Sequence, residues 1–153
     1  MKNKILATLL CATAGLSALP AAAQFQKPED AIRYRQAAMT LMGTHFGRIA
    51  AMAQGKTPWD ARAAAANMLV VNTVHTLPFA AFGPGTDKGA KTHALPEVWS
   101  KPAEFKDHAD KLDAAIGPLD AAVKTGSLDN VKTAVGPVGK ACKGCHDDFK
   151  IKN

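Results

Sequence analysis

Apolar residues recur along this chain at spacings of three and four, in successive stretches punctuated by proline and glycine. In the first stretch Ile32, Met39, Met42, Phe46, Ile49 and Ala53 follow Pro28, an N1 proline with Glu29 and Asp30 in its first turn, and Gly55 closes it. Thr57-Pro58-Trp59-Asp60 reads as an N-cap with an acid at N3, opening an alanine-rich segment that runs through Met68, Val71 and Val74 to Pro78. A connection containing Gly83-Pro84-Gly85-Thr86, Gly89 and Leu95-Pro96-Glu97-Val98-Trp99 comes next. A third helix is predicted from about Ser100, with Phe105, Leu112, Ile116, Leu119 and Val123 on its apolar face. Pro118 should bend it and Gly126 should end it. From Ser127 the pattern is most regular: Leu128, Val131, Val135, Val138, Cys142, Cys145 and Phe149 alternate three and four. Gly136-Pro137 interrupts that helix, and a kink or break is expected there because an interior proline costs about 3 kcal/mol. No segment has convincing period-two alternation, so the chain is predicted to be all-α, an antiparallel up-down four-helix bundle.

The regular fourth helix ends in the chain's most specific chemistry. Cys142-Lys143-Gly144-Cys145-His146 is a Cys-x-x-Cys-His run, the pattern for covalent attachment of a c-type haem. Residues three apart share a helix face, so both thiols can add to the vinyl groups of one porphyrin edge while the adjoining imidazole ligates iron. A zinc site would want a second Cys or Cys/His pair, and a thioredoxin-type pair would want a βαβ setting. Both cysteines occupy the apolar seam, which puts one haem c inside the bundle near the C-terminal end of helix four, with His146 as the metal ligand.

The N-terminus bears on the compartment. Lys2 and Lys4, the apolar stretch Ile5 to Leu19 and the small residues Ala21-Ala22-Ala23 form a secretory signal peptide over residues 1–23, cleaved after Ala23. Leu10 precedes Cys11, where a lipoprotein would need a small residue, so Cys11 is expected to leave with the signal. No stretch has the length of a membrane span. Residues 24–153 then form one domain, and haem attachment after export implies a bacterial periplasm. Loss of Lys2 and Lys4, with no acid lost, lowers the formal charge of +6 by two. That modest balance and the 6% aromatic content give no sign of nucleic-acid binding. Lys140, Lys143, Lys150 and Lys152 gather around the haem motif. A solvated helix face is their ordinary reading; their functional reading is a docking patch for an acidic redox partner.

Several runs, in order, resemble one family. They are Gln24-Phe25-Gln26-Lys27-Pro28-Glu29-Asp30-Ala31, Tyr34-Arg35-Gln36, His45-Phe46-Gly47-Arg48, Leu77-Pro78-Phe79-Ala80-Ala81-Phe82-Gly83-Pro84-Gly85-Thr86 and the terminal haem motif. Together they resemble cytochrome c′ across residues 24–153. The resemblance implies a periplasmic, often homodimeric four-helix bundle with high-spin, five-coordinate iron. It also implies binding of nitric oxide and carbon monoxide but not dioxygen, and a role in electron transfer or nitric oxide scavenging. Carried over by position, Cys142 and Cys145 match the thioether sites and His146 the axial ligand. Arg35 and Gln36 match helix-one residues that approach the propionates, Met39 the bulky apolar residue over the distal iron face, and Phe82 an aromatic lining the same pocket. Lys150 falls where the family carries a basic residue, commonly arginine, and lysine cannot reproduce a guanidinium fork. The loop after Thr86 is longer than the family pattern and Pro137 departs from it.

The sixth iron position decides between two functions. Met39 lies one turn from Arg35 on the same face: as a lid it leaves the site open to gases, and as a sulfur ligand it makes a low-spin electron carrier like the related cytochrome c556 group. His45 sits off that face, and His75, His93 and His108 have no ligand-like spacing. Met39 and Phe82 offer no hydrogen-bond donor, which disfavours dioxygen relative to nitric oxide and carbon monoxide. No acid, base or nucleophile is arranged for catalysis, so the chain reads as a binder and carrier, not an enzyme. Ala50, Ala51, Ala63, Ala64 and Ala65 extend beyond a single stripe on helices one and two, which suits packing in a homodimer.

Overall fold

The computed structural model describes residues 25–152. The expected signal peptide, residues 1–23, lies outside them. The helices are α1 (Pro28–Ala53), α2 (Ala61–Val74), α3 (Glu97–Ser100), α4 (Pro102–Lys124) and α5 (Leu128–Phe149), with one 3₁₀ turn at Phe79–Ala81. Four are long, and they pack in chain order around a ring: α1 on α2, α2 on α4, α4 on α5 and α5 back on α1. This is the antiparallel four-helix bundle, with α3 a single turn inside the connection and the haem motif on α5. Ile49, Met68, Val71, Leu119, Val131 and Val138 are almost fully buried between the helices. No strand occurs among the described residues, and one isolated antiparallel bridge joins Ala94 to Lys150.

The element boundaries correct the sequence reading in three places. The cap of α2 is Asp60, not Thr57: its carboxylate accepts from the backbone N–H groups of Arg62 at 2.8 Å and Ala63 at 3.0 Å. A carboxylate at the first free amides also opposes the positive end of the helix dipole. The same helix stops at Val74, short of Pro78, because Pro78 has no N–H to bond the Val74 carbonyl; the Leu77 amide takes it instead at 3.1 Å. The third long helix starts at Pro102, after the separate turn α3: helical conformation is disfavoured in a residue preceding proline, and Lys101 sits at φ −126°, ψ 57°.

Of the kink or break expected at Pro137, the break does not occur. Both α4 and α5 run unbroken through their interior prolines, Pro118 and Pro137. Each proline is exposed, as are Ala114 and Thr133 four residues earlier, so water can take the carbonyls the prolines leave without donors. Gly126, at φ +70°, ends α4 as expected. Of the alanines assigned to subunit packing, Ala64 belongs to the core at 0% exposure and Ala65 is exposed, while Ala50, Ala51 and Ala63 are half-buried. Helix α2 buries one face in its own bundle, which is where Ala64 falls.

Candidate haem-binding cavity

The helical seam of α5, the middle of α1 and the connection between α2 and α4 enclose one large cavity of about 680 Å³. All seven residues singled out from the sequence line it: Arg35, Gln36 and Met39 from α1, Phe82 from the connection, and Cys142, Cys145 and His146 from α5. Val71, Leu112, Ile116, Phe105, Val138 and Phe149 are among the other lining residues, and the lining is largely apolar with a few polar groups. That volume lies within the roughly 300–1,000 Å³ of cofactor pockets. The two thiols stand one turn apart on the wall, half-buried, with the imidazole beside them at the exposed rim. The residues present fit a covalently held haem in size, polarity and donor set.

Burial pushes the Cys142 thiol above its ordinary value; Cys145 is pushed up to about 11, chiefly by burial and further by Cys142 and Asp148. The His146 imidazole is held below its ordinary value by desolvation of the part facing the cavity, and next by the Lys150 ammonium, even though the residue as a whole is exposed. Its neutral form is the one that ligates a metal. Met39 and Phe82 are half-buried on the wall. A chain of aromatic contacts leads from Phe82 to Phe105 at 4.9 Å between centroids and from Phe105 to Phe149 at 5.3 Å, tying the connection to α4 and α5.

The helix-one pair is committed to that connection. Arg35 is 2% exposed and donates from both terminal nitrogens to Ala81, Thr86 and Thr92, and the exposed Gln36 donates from Nε2 to the Lys91 carbonyl at 2.9 Å. Burial lowers the Arg35 guanidinium below its ordinary value, with Asp87 opposing the shift. Among the clustered lysines, Lys150 lines the cavity and Lys143 pairs with Asp147.

The remaining histidines divide. The Nδ1 of His45 lies 2.8 Å from Asn67 Oδ1, between α1 and α2 and away from the cavity lining. His75 pairs with Asp113 and His108 with Asp148. His93, by contrast, lines the cavity, which its sequence spacing did not disclose. The cause is long-range: the Ile151 amide bonds the His93 carbonyl at 2.8 Å and the Leu95 amide bonds the Phe149 carbonyl at 2.9 Å, clasping this segment to the end of α5. Gly43, also on the wall, was legible in principle as the residue four beyond Met39 on the same helical face.

Comparison with known proteins converges on one family. A family model described as cytochrome c′ matches residues 30–150. The chain is 62% identical over 129 residues to the cytochrome c′ of Rubrivivax gelatinosus, covering 84% of this chain and 100% of that one. The crystal structure of that protein superposes with a TM-score of 0.81, covering 83% of this chain and 99% of that one. A nitric oxide complex of a variant cytochrome c prime from Alcaligenes xylosoxidans gives a TM-score of 0.77 at 46% identity, covering 84% of this chain and 99% of that one.

Proposed function

Because the chain belongs to the cytochrome c′ family, we propose that residues 24–153, exported and cleaved after Ala23, form a periplasmic c-type cytochrome that binds nitric oxide and carbon monoxide and takes part in electron transfer. Cys142 and Cys145 hold the haem covalently, and His146 is its axial ligand. The observation that carries this reading is the meeting of two half-buried thiols, the adjacent imidazole, Met39 and Phe82 on one apolar cavity. Haem, when bound, would supply a redox-active iron able to take the His146 imidazole and a diatomic gas as ligands. The protein's own residues do the selecting. Met39 and Phe82 themselves carry no side-chain N–H or O–H, so a polar bound dioxygen gains nothing from either that nitric oxide and carbon monoxide lack. The resting iron is high-spin and five-coordinate, with Met39 as a lid and not a ligand. The nitric oxide complex of the Alcaligenes relative supports the gas-binding part.

Two half-exposed leucines support the homodimer. Leu41 on α1 is 46% exposed and Leu69 on α2 is 69% exposed, beside the exposed Ala65 and Ala66, on the two helices that pack on each other. None of the described helices is long and apolar enough to cross a membrane. The test is mass spectrometry with absorption spectroscopy of the exported protein from cells competent for cytochrome maturation. A mass equal to residues 24–153 plus one haem is expected, with a ferrous spectrum that changes on adding carbon monoxide. The mass of the bare processed chain would overturn the reading, and Cys142→Ala or Cys145→Ala should sharply reduce the yield of holoprotein.

A further inference from the structure

The Arg35 guanidinium is the most heavily engaged polar group among the described residues, and none of its partners is acidic. Nη1 donates to the Ala81 carbonyl and to Thr86 Oγ1, both at 3.0 Å. Nη2 donates to the Thr86 carbonyl at 2.8 Å and to Thr92 Oγ1 at 3.3 Å. A guanidinium carries five N–H groups, so four are spent and Nε alone is left. A bidentate grip on a carboxylate uses two parallel donors, and at Arg35 no such pair is free. All four acceptors belong to the connection between α2 and α4.

The flat faces of the cation are committed to the same segment. The Cζ of Arg35 lies 4.4 Å from the centroid of Phe82 and 5.5 Å from that of Trp99, close enough for the rings to stabilise the buried charge. Trp99 in turn donates from Nε1 to the Gly83 carbonyl at 3.1 Å, and the Thr86 hydroxyl that accepts from Arg35 donates to that same carbonyl at 2.8 Å. One side chain on α1 therefore organises a loop that makes few backbone bonds of its own, and the ring it stacks on, Phe82, lines the cavity.

We propose that Arg35 is a positioning residue, a clamp that fixes the connection over residues 81–92 and thereby sets Phe82 on the cavity wall. The proposal rests on the haem reading only for its gas-binding readout. A lysine at 35 would keep the positive charge but bring three donors on a point and no stacking plane. A clamp and a charge partner thus respond differently to the same substitution.

The test is hydrogen exchange of the holoprotein, read by mass spectrometry over the 79–92 segment, together with the rate of carbon monoxide association to the ferrous form. Arg35→Lys is expected to raise exchange in 79–92 about tenfold, with α1 and α5 unchanged. Thr86→Val, which leaves the arginine in place and removes one of its acceptors, should raise exchange in the same segment by a smaller factor. Because Arg35 acts through Phe82, Arg35→Lys should change the association rate in the parent but not in a Phe82→Leu background. The proposal is overturned if Arg35→Lys and Thr86→Val both keep parental exchange and rate while Arg35→Met alone shifts the reduction potential, because the charge would then be what matters. It is equally overturned if the effects of Arg35→Lys and Phe82→Leu on the rate are additive. If Arg35→Lys yields no folded protein, Thr86→Val decides. Protein that folds without haem would refute the haem reading, and its exchange pattern would still report on the clamp.

Discussion

Gly43 and Gly47 lie one turn apart in α1, each with open space where a Cβ would stand, yet Gly43 lines the cavity and Gly47 does not. A glycine inside a helix costs about 0.5–1 kcal/mol relative to alanine, and at neither position does a close neighbour demand it. Gly43→Ala and Gly47→Ala should therefore both raise the thermal midpoint by a few degrees. A larger side chain separates them. Gly43→Leu should slow carbon monoxide association by narrowing the wall beside Met39, and Gly47→Leu should leave it unchanged. Equal rates in the two leucine variants would show that Gly43 has no part in access.

Asp120 gives the fold an acid-side limit. Its carboxylate, 22% exposed, is held below the ordinary 3.8 chiefly by the hydrogen bond from Lys124, with Asn72 of α2 adding a second at 2.7 Å. A depressed carboxylate contributes stability in full above its unfolded value and loses it as pH falls through the folded one. Asp120→Asn should thus cost about 1 kcal/mol near pH 7, the worth of one such hydrogen bond. The gap between variant and parent should close as the pH is taken below 3.8. Urea midpoints at pH 7 and pH 3 check this, and a gap that stays constant would assign the effect to packing.

The seam of α5 was legible because each of its residues speaks through local spacing: Val131, Val138 and Phe149 are buried where the alternation of three and four puts them. Spacing put Cys142 and Cys145 on that seam, and the family resemblance brought Met39 to the same cavity, where the structure has it beside the two thiols and His146. What stayed hidden depends on where an exposed face or a distant partner lies. Pro137 reads as a breaker until its carbonyl partner is known to face water, and Asp60 outcompetes Thr57 as cap only because the chain turns one residue before Ala61. Arg35 and His93 are the deeper cases. Arg35 finds its acceptors between 46 and 57 residues away, and His93 reaches the cavity through a bridge to the end of α5. No periodicity records either.

The exposed leucines on α1 and α2 make the dimer testable without disturbing the core. Leu41 and Leu69 face solvent, so replacing both with Glu removes little intramolecular packing. At micromolar concentration the parent should sediment as a dimer, and Leu41→Glu with Leu69→Glu should sediment as a monomer with an unchanged absorption spectrum. A parent that is already monomeric would refute the homodimer, and a double variant that stays dimeric would move the interface off this face.

Met39 decides which of the family's two behaviours this chain follows. It is half-buried on the cavity wall, one turn beyond Arg35. As a lid, Met39 crowds an otherwise open iron face, and Met39→Ala should speed carbon monoxide and nitric oxide binding while the resting spin state stays high. As a ligand it would fill that face, raise the reduction potential and give a low-spin ferric protein with a sulfur-to-iron charge-transfer band. Absorption spectra of parent and variant, ferric and ferrous, separate the two because one substitution has opposite consequences. The lid reading expects a high-spin spectrum in both proteins and a faster gas reaction in the variant. A low-spin parent that becomes high-spin in Met39→Ala would make the protein an electron carrier of the c556 kind, with gas binding confined to the variant.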